Sequence, residues 1–447
     1  MIFLHILSSF SYICMVSVCL KSILGNYLNI FSIFIIWWLF NYTNALVNPF
    51  QYYQLSVENI TLFYFPVILI PLGFFLANYI LQKKGKYINY RELIVVKSSF
   101  NIKVVTLFNF LGSFLLLYIS YKAATGLGVS IQEFRDIVYS DDRATLNPIF
   151  SRISPILWFT GGINYYSIFF FTYIYISNES DVDSKWLVIS IVTKIFYTLC
   201  TGGRTAFVDL MYILVAIIVL LYPIYKTSSH FRVIVKLKKI KARIRIFLVT
   251  LISGLILISI LRGSSAKNDS TVLATITNYY VKYYTGTFYA FDQNIHLGLH
   301  KNFKVDRFGL SFLGFDTVLT SGFLRFVGGL NIPSLLSQSS YAFHSGVRIS
   351  DDEIMNAHYT YLYTLYLDGG VFYIVIFSIL FGSFYYLVYF SAVKRLSLQS
   401  FSLLLILNLF LINSVRTNLF TSPSIAICII LIYMSKFTIV VKSRRLL

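Results

Sequence analysis

The sequence predicts an all-α polytopic membrane protein, with about eleven transmembrane helices and one large outward loop. Three observations carry that prediction. Hydrophobic residues make up 57% of the chain and charged residues only 12%, against roughly a quarter charged in soluble domains. Apolar runs of about 20 residues recur, the length a helix needs to cross ~30 Å of hydrocarbon. They do not alternate polar with apolar positions, as the strands of a membrane barrel would. The lysines and arginines gather in connectors of one parity, which is how cytoplasmic loops are marked.

The first run, 2–20, lacks a basic leading region and a small-residue cleavage site, so it reads as a retained span rather than a signal peptide. Further runs follow at 28–46, 60–81, 104–121, 153–176, 186–200, 206–225 and 246–261, then at 371–390, 401–412 and 425–441. The connector after the third run holds Lys83, Lys84, Lys86, Arg91, Lys97 and Lys103 with the single acid Glu92. The connector after the seventh holds Lys226, Arg232, Lys236, Lys238, Lys239, Lys241, Arg243 and Arg245. Lys394 and Arg395 follow the ninth run, and Lys442, Arg444 and Arg445 follow the eleventh. All share one parity, and the positive-inside bias makes them cytoplasmic, beside anionic lipid. The loop 127–152, the corner 201–205, the insert 262–357 and the corner 414–424 then face outward. The chain divides accordingly into helices 1–261, a large loop 262–357 and helices 358–447.

The insert mixes both signs of charge, the pattern of folded, paired structure rather than of a solvating tail. Residues 271–284 carry apolar and aromatic side chains at helical spacing, followed by Gly286. The apolar stretch 312–327 carries Asp316 and Arg325 and is short for a span, so it is expected on the outer leaflet. Counting it as a span would invert the parity of everything after it. From Arg262 to Gly370 lie His296, His300, His344 and His358, four of the six histidines.

Composition also excludes several classes of function. The net charge of +19 is spread between spans instead of covering one soluble face, which excludes a nucleic-acid binder. Cys14, Cys19, Cys200 and Cys428 form no CxxC or Cys/His cluster, so no disulfide framework or metal site is expected. The chain has no phosphate loop, GxSxG or HExxH, and no nucleotide cofactor is expected.

Arg204 is the sharpest candidate, in Thr201-Gly202-Gly203-Arg204-Thr205 at the outer junction of the sixth and seventh runs. Gly202 and Gly203 let the backbone turn tightly and approach a ligand, and a guanidinium forks onto phosphate or carboxylate oxygens. The same arginine would also serve as a snorkelling cation at a helix end. Lys194 and Asp209 lie in the adjoining runs, about 15 and 8 Å deep from that corner, and are expected to pair. Arg262 opens the insert and His358 closes it. A neutral histidine there can take a proton from a hydroxyl, or it can be an interfacial hydrogen-bonding group. His344, near Arg348, is the rival base. Arg325 in the insert and Arg416 in the last outer corner add cations suited to an anionic ligand.

The Gly-Gly-Arg-Thr corner, the long outer loop, and His358-Tyr-Thr-Tyr-Leu with Gly369-Gly370 resemble bacterial O-antigen polymerases of the Wzy type. The loop and the histidine segment are shared with the related O-antigen ligases. The resemblance implies a GT-C-like fold in the bacterial inner membrane, with its active face periplasmic. It implies metal-independent, inverting glycosyl transfer without a cofactor, between donor and acceptor oligosaccharides on undecaprenyl diphosphate. A chain-length regulator is an expected partner. By the same resemblance Arg204 and Arg262 bind the diphosphate, helped by Arg325 or Arg416, and His358 is the base. The chain departs from the family pattern at Tyr359, where Asn is common, and at Phe372 and Tyr373. That keeps His344 as an alternative. A ligase and a flippase of lipid-linked sugar are the competing functions; a transporter is expected to show repeat symmetry.

Overall fold

The computed structural model describes residues 2–24, 29–83, 92–96, 100–127, 148–177, 184–200, 205–227, 272–298, 308–324, 335, 346–355, 359–435 and 441–445. Its helices are α1 (Ile2–Leu24), α2 (Ile30–Val47), α3 (Val57–Leu62), α4 (Phe65–Lys83), α5 (Phe100–Leu127), α6 (Pro148–Ser177), α7 (Ser184–Leu199), α8 (Thr205–Thr227), α9 (Val272–His296), α10 (Leu313–Thr317), α11 (Leu362–Lys394), α12 (Leu398–Asn413) and α13 (Pro423–Met434). Among the described residues, five stretches are long and apolar enough to cross a membrane: His5–Leu24, Ile30–Val47, Val57–Lys83, Asn101–Lys122 and Leu362–Ala392. The run at 246–261 lies outside the described residues.

The chain forms two compact units. The first comprises Met1–Asn89, Ser270–Ser391 and Ile406–Ser422, and the second Tyr90–Asp269, Ala392–Leu405 and Pro423–Leu447. This division by compactness cuts across the division by span and loop.

In the first unit, backbone groups that the helices cannot satisfy are met by side chains. Asn29 caps α2 by accepting the Ser32 N–H at 3.0 Å. Pro66 has no N–H to continue the helix, and α3 ends in a turn before α4. Pro71 sits inside α4 and offers no N–H to the carbonyl of Val67, which instead accepts the Tyr12 hydroxyl at 2.7 Å. Trp38 Nε1 donates to the Phe63 carbonyl at 2.8 Å and the Tyr42 hydroxyl to that of Ile60 at 3.0 Å. Such partners are what a low-dielectric interior demands.

Two features depart from the sequence reading. The insert helix is longer than 271–284 and is no wet loop element: α9 is buried from Tyr284 to Asn294. Its rings pack on α2, with Trp37 against Tyr284 at 5.1 Å and Trp38 against Phe288 at 5.5 Å. Several of its polar atoms find partners: the Tyr289 hydroxyl donates to the Ala45 carbonyl. Asp292 Oδ1 accepts from Asn59 Nδ2 at 2.8 Å, from the Ser56 N–H at 3.1 Å and from the Ser56 hydroxyl. Second, the chain is not purely helical. A short hairpin, β2 (Val347–Arg348) with β3 (Ile354–Met355), is tied to the connector between α2 and α3. There the Tyr53 N–H donates to the Ile349 carbonyl at 2.9 Å and the Tyr53 hydroxyl to Asp351 at 2.9 Å.

In the second unit, α6 packs on α13, and α5 on α7. Phe110 and Phe196 rings stand 5.7 Å apart. The unit also holds a three-stranded sheet of order β4-β1-β5, from β4 (Arg395–Leu396), β1 (Glu92–Val96) and β5 (Val441–Arg445). β1 is parallel to β4 and antiparallel to β5, with Glu92 in register with both Arg395 and Arg445. Each strand comes from a different basic connector. Hydrogen-bonded neighbours lie on one side of a membrane, so these three connectors share a side.

Candidate functional site

Three stretches that are far apart in the sequence meet in the first unit. One is the start of α11 with Tyr359–Tyr361 before it. The second is the insert from Phe308 to Leu324: a 3₁₀ turn (Leu310–Phe312), α10 and a π-helical stretch (Val318–Leu324). The third is the corner after α12, from Ser414 to Ser422.

A carboxylate makes the first joint. Asp368 Oδ1 accepts the Gly309 N–H at 3.0 Å and the Leu310 N–H at 2.8 Å, and Oδ2 accepts the Ser311 N–H at 2.7 Å. These are backbone donors with no carbonyl of their own to bond at the start of a turn. Asn418 makes the second joint. Its Nδ2 donates to the Ser311 carbonyl at 2.9 Å and to Thr364 Oγ1 at 2.9 Å, while its Oδ1 accepts the Phe420 N–H at 3.1 Å. Thr364 lies one turn before Asp368, so the contacts close a ring through Asp368, Ser311, Asn418 and Thr364. The corner is pinned again by the Tyr361 N–H to the Ser414 carbonyl at 2.9 Å, and by the Thr287 hydroxyl to the Val415 carbonyl at 2.8 Å.

Directly after Asp368 the helix breaks. Gly370 has φ 64° and ψ −155°, a region that only glycine enters without strain. The turns from Leu362 to Asp368 are therefore a separate block from the apolar helix that follows. Tyr359, ahead of the block, stacks on Tyr363 at 4.1 Å between ring centroids. Burial pushes its phenol up to about 12, so it is a neutral group at any pH where a histidine acts as base.

Of the sequence candidates, Arg416 is described: it is half-buried in the corner, with its N–H donating to the Asn413 carbonyl at 2.8 Å. Gly202, Gly203, Arg204, Arg262, Arg325, His344 and His358 lie outside the described residues. Arg325 follows Leu324 and His358 precedes Tyr359 in the chain, so each adjoins a stretch of this junction. Sequence reasoning missed Asp368 and Asn418. The signal available was Asp368 beside the helix-breaking Gly369-Gly370, an acid at the end of a helix where the macrodipole disfavours it.

The second unit holds the expected pair. Lys194 Nζ lies 3.5 Å from Asp209 Oδ2, with side-chain exposures of 4% and 12%. The Tyr165 hydroxyl donates to the same carboxylate at 2.7 Å, and its ring centroid is 3.9 Å from Lys194 Nζ. The pair is enclosed by its own partners. Among the described residues no group of three His, Cys, Asp or Glu is placed to hold a metal ion.

No family model matches the chain, and neither does any of the curated proteins or solved structures compared with it.

Proposed function

We propose that the chain is a membrane glycosyltransferase acting on lipid-linked sugars. Within that class we propose a polymerase of undecaprenyl-diphosphate-linked repeat units, working at the periplasmic face of a bacterial inner membrane through about eleven spans. The observation that carries the reading is the junction. The corner bearing Arg416 is hydrogen-bonded to the stretch that leads to His358 and to the stretch that leads to Arg325. In the proposed site Arg416 and the chain neighbours of this junction, His358 and Arg325, serve an anionic leaving group and a hydroxyl nucleophile.

The sheet supports the topology. β1 and β4 share a side, so an even number of crossings separates them. Six predicted runs lie between Val96 and Arg395, and counting 312–327 as a seventh would break the parity.

In the proposed reaction an acceptor sugar hydroxyl attacks the anomeric carbon of the donor glycan. The bond from that carbon to the diphosphate oxygen breaks, with inversion. His358 takes the hydroxyl proton, with His344 as its rival. Arg204, Arg262, Arg325 and Arg416 neutralise the departing undecaprenyl diphosphate. Gly202 and Gly203 give the backbone room at the corner of Arg204.

Glycan length in a strain lacking the chain tests the reading. Deletion should leave a single repeat on the lipid A core, and wild type should restore the ladder. Arg204→Ala and His358→Ala, present at wild-type membrane levels, should each fail to restore it. Long lipid-linked chains accumulating outside after deletion would mean a ligase, and lipid-linked sugar held inside would mean a flippase.

A further inference from the structure

We propose that Asn294, Thr360 and Asn413 form a sugar subsite at the start of α11, one that reads ring hydroxyls beside the corner of Arg416. The inference rests on the polymerase reading and deepens it.

The three residues stand on three segments of the first unit, and hydrogen bonds hold those segments side by side. Thr287, Phe291 and Asn294 share one face of α9 by their spacing. The Thr287 hydroxyl donates to the Val415 carbonyl at 2.8 Å. The Phe291 ring meets Tyr363 at 6.4 Å and Tyr366 at 6.0 Å between centroids. That face of α9 therefore meets both the last corner and the start of α11. The Tyr361 N–H, next to Thr360, donates at 2.9 Å to the carbonyl of Ser414, next to Asn413. The Asn294 amide faces the hydroxyls of Tyr359 and Tyr363, without closing a hydrogen bond to either.

What singles these residues out is unmatched polar atoms where water is excluded. Asn294 is 0% exposed, Thr360 1% and Asn413 2%. Among the described residues, neither end of the Asn294 amide has a hydrogen-bond partner, nor has the Thr360 hydroxyl or Asn413 Oδ1. Folded proteins leave few such atoms, because each keeps the cost of its lost hydration. Their clustering on adjoining segments points to a ligand.

Their chemistry selects its class. Asn413 Nδ2 donates to the Leu409 carbonyl at 3.1 Å, which leaves the amide oxygen as an acceptor in need of a donor. Asn294 offers a donor end and an acceptor end, and Thr360 a hydroxyl that does either. A phosphate carries acceptor oxygens and would leave both amide oxygens unmatched. A sugar hydroxyl donates and accepts at once. The stacked rings of Tyr359 and Tyr363, 4.1 Å between centroids, add the aromatic wall that ligand sites combine with a few fixed polar groups. The Arg416 N–H bonds the Asn413 carbonyl at 2.8 Å, so the hydroxyl-reading groups are joined to the corner that carries a cation for the diphosphate. Directly after Asn294, α9 surfaces at the exposed His296 and Leu297, which is the side from which a ring would enter.

The test uses the full chain in lipid nanodiscs with two probes. One is the lipid-linked repeat unit extracted from cells that carry the native chain; the other is undecaprenyl diphosphate without sugar. Wild type should bind the first more tightly. Asn294→Leu and Thr360→Val remove the unmatched groups at nearly constant volume. Each should weaken binding of the lipid-linked repeat unit by roughly tenfold and leave that of undecaprenyl diphosphate within about twofold. Without a probe, both variants should unfold at the wild-type temperature or above it, because the protein loses no hydrogen bond of its own. If Asn294→Leu fails to fold, Thr360→Val, which exchanges a hydroxyl for a methyl group, decides. Equal losses for the two probes, or a loss for neither, would overturn the subsite. A lower unfolding temperature with the preference for the sugar-bearing probe intact would leave ordered water as the only occupant, and would overturn it too. If wild type binds neither probe, the polymerase reading itself fails and the subsite falls with it.

Discussion

Lys194 and Asp209 set the terms at the scale of single residues. Each is a charge in an apolar helix, and each is made tolerable by the other, by the Tyr165 hydroxyl and by the Tyr165 ring face. Removing one partner strands the other in a medium that cannot solvate it. Lys194→Met or Asp209→Asn alone should therefore destabilise the protein by about 3–5 kcal/mol, and the double variant should recover much of the loss. Thermal unfolding of the purified protein in detergent checks this; additive losses in the double variant would mean that the two side chains do not act as a pair. Position in the two runs that flank the Gly-Gly-Arg corner was enough to anticipate this pair, because two opposite charges inside adjacent spans have few other partners. Asp368 and Asn418 were illegible for the opposite reason. Each reaches backbone groups more than fifty residues away, and every residue type carries the same backbone groups.

Between elements, the closest contact is the crossing of α4 and α11. A Cβ on Gly382 would lie 1.9 Å from the Ile70 carbonyl oxygen, and one on Gly73 2.1 Å from that of Ile379. Both clashes are with backbone, which cannot rotate away. The approach lets the Ser383 hydroxyl reach the Gly73 carbonyl at 2.9 Å and the Tyr386 hydroxyl reach Asn78 at 2.8 Å. Gly382→Ala should therefore reach or exceed the upper end of the roughly 1–3 kcal/mol typical of overpacking. Gly112, in the middle of α5, has nothing within 4 Å of a Cβ. There alanine should stabilise by roughly 0.5–1 kcal/mol through its better helix propensity. Opposite shifts in unfolding temperature for the two variants are the expected result; a loss at both would place the cost in glycine's backbone freedom rather than in the crossing.

For the molecule as a whole, the decisive feature is the sheet that gathers three basic connectors. It fixes relative sidedness by hydrogen bonding, independently of the charge rule. Single cysteines introduced into a cysteine-free background test it in intact cells with a membrane-impermeant maleimide. Gln51→Cys and Ser350→Cys, in the connector and hairpin that share hydrogen bonds, should label from outside. Ser443→Cys, in β5, should label only after the membrane is opened. Labelling of Ser443→Cys in intact cells would overturn the assignment of this sheet to the inner side.

Sequence alone determined that the chain is a helical membrane protein and where most apolar helices run, and it predicts which connectors share a side. Hydrophobic run length and the placement of Lys and Arg respond to the bilayer, which acts on each segment separately. The tertiary structure decided that α9 is a buried element. Hydropathy counts Tyr289, Thr287 and Asp292 as polar, and only folding supplies the carbonyls and amides that satisfy them. It likewise decided that the start of α11, the insert and the last corner form one junction. That assembly rests on a carboxylate and an amide reaching distant backbone, a choice made by three-dimensional proximity and carried by no local pattern.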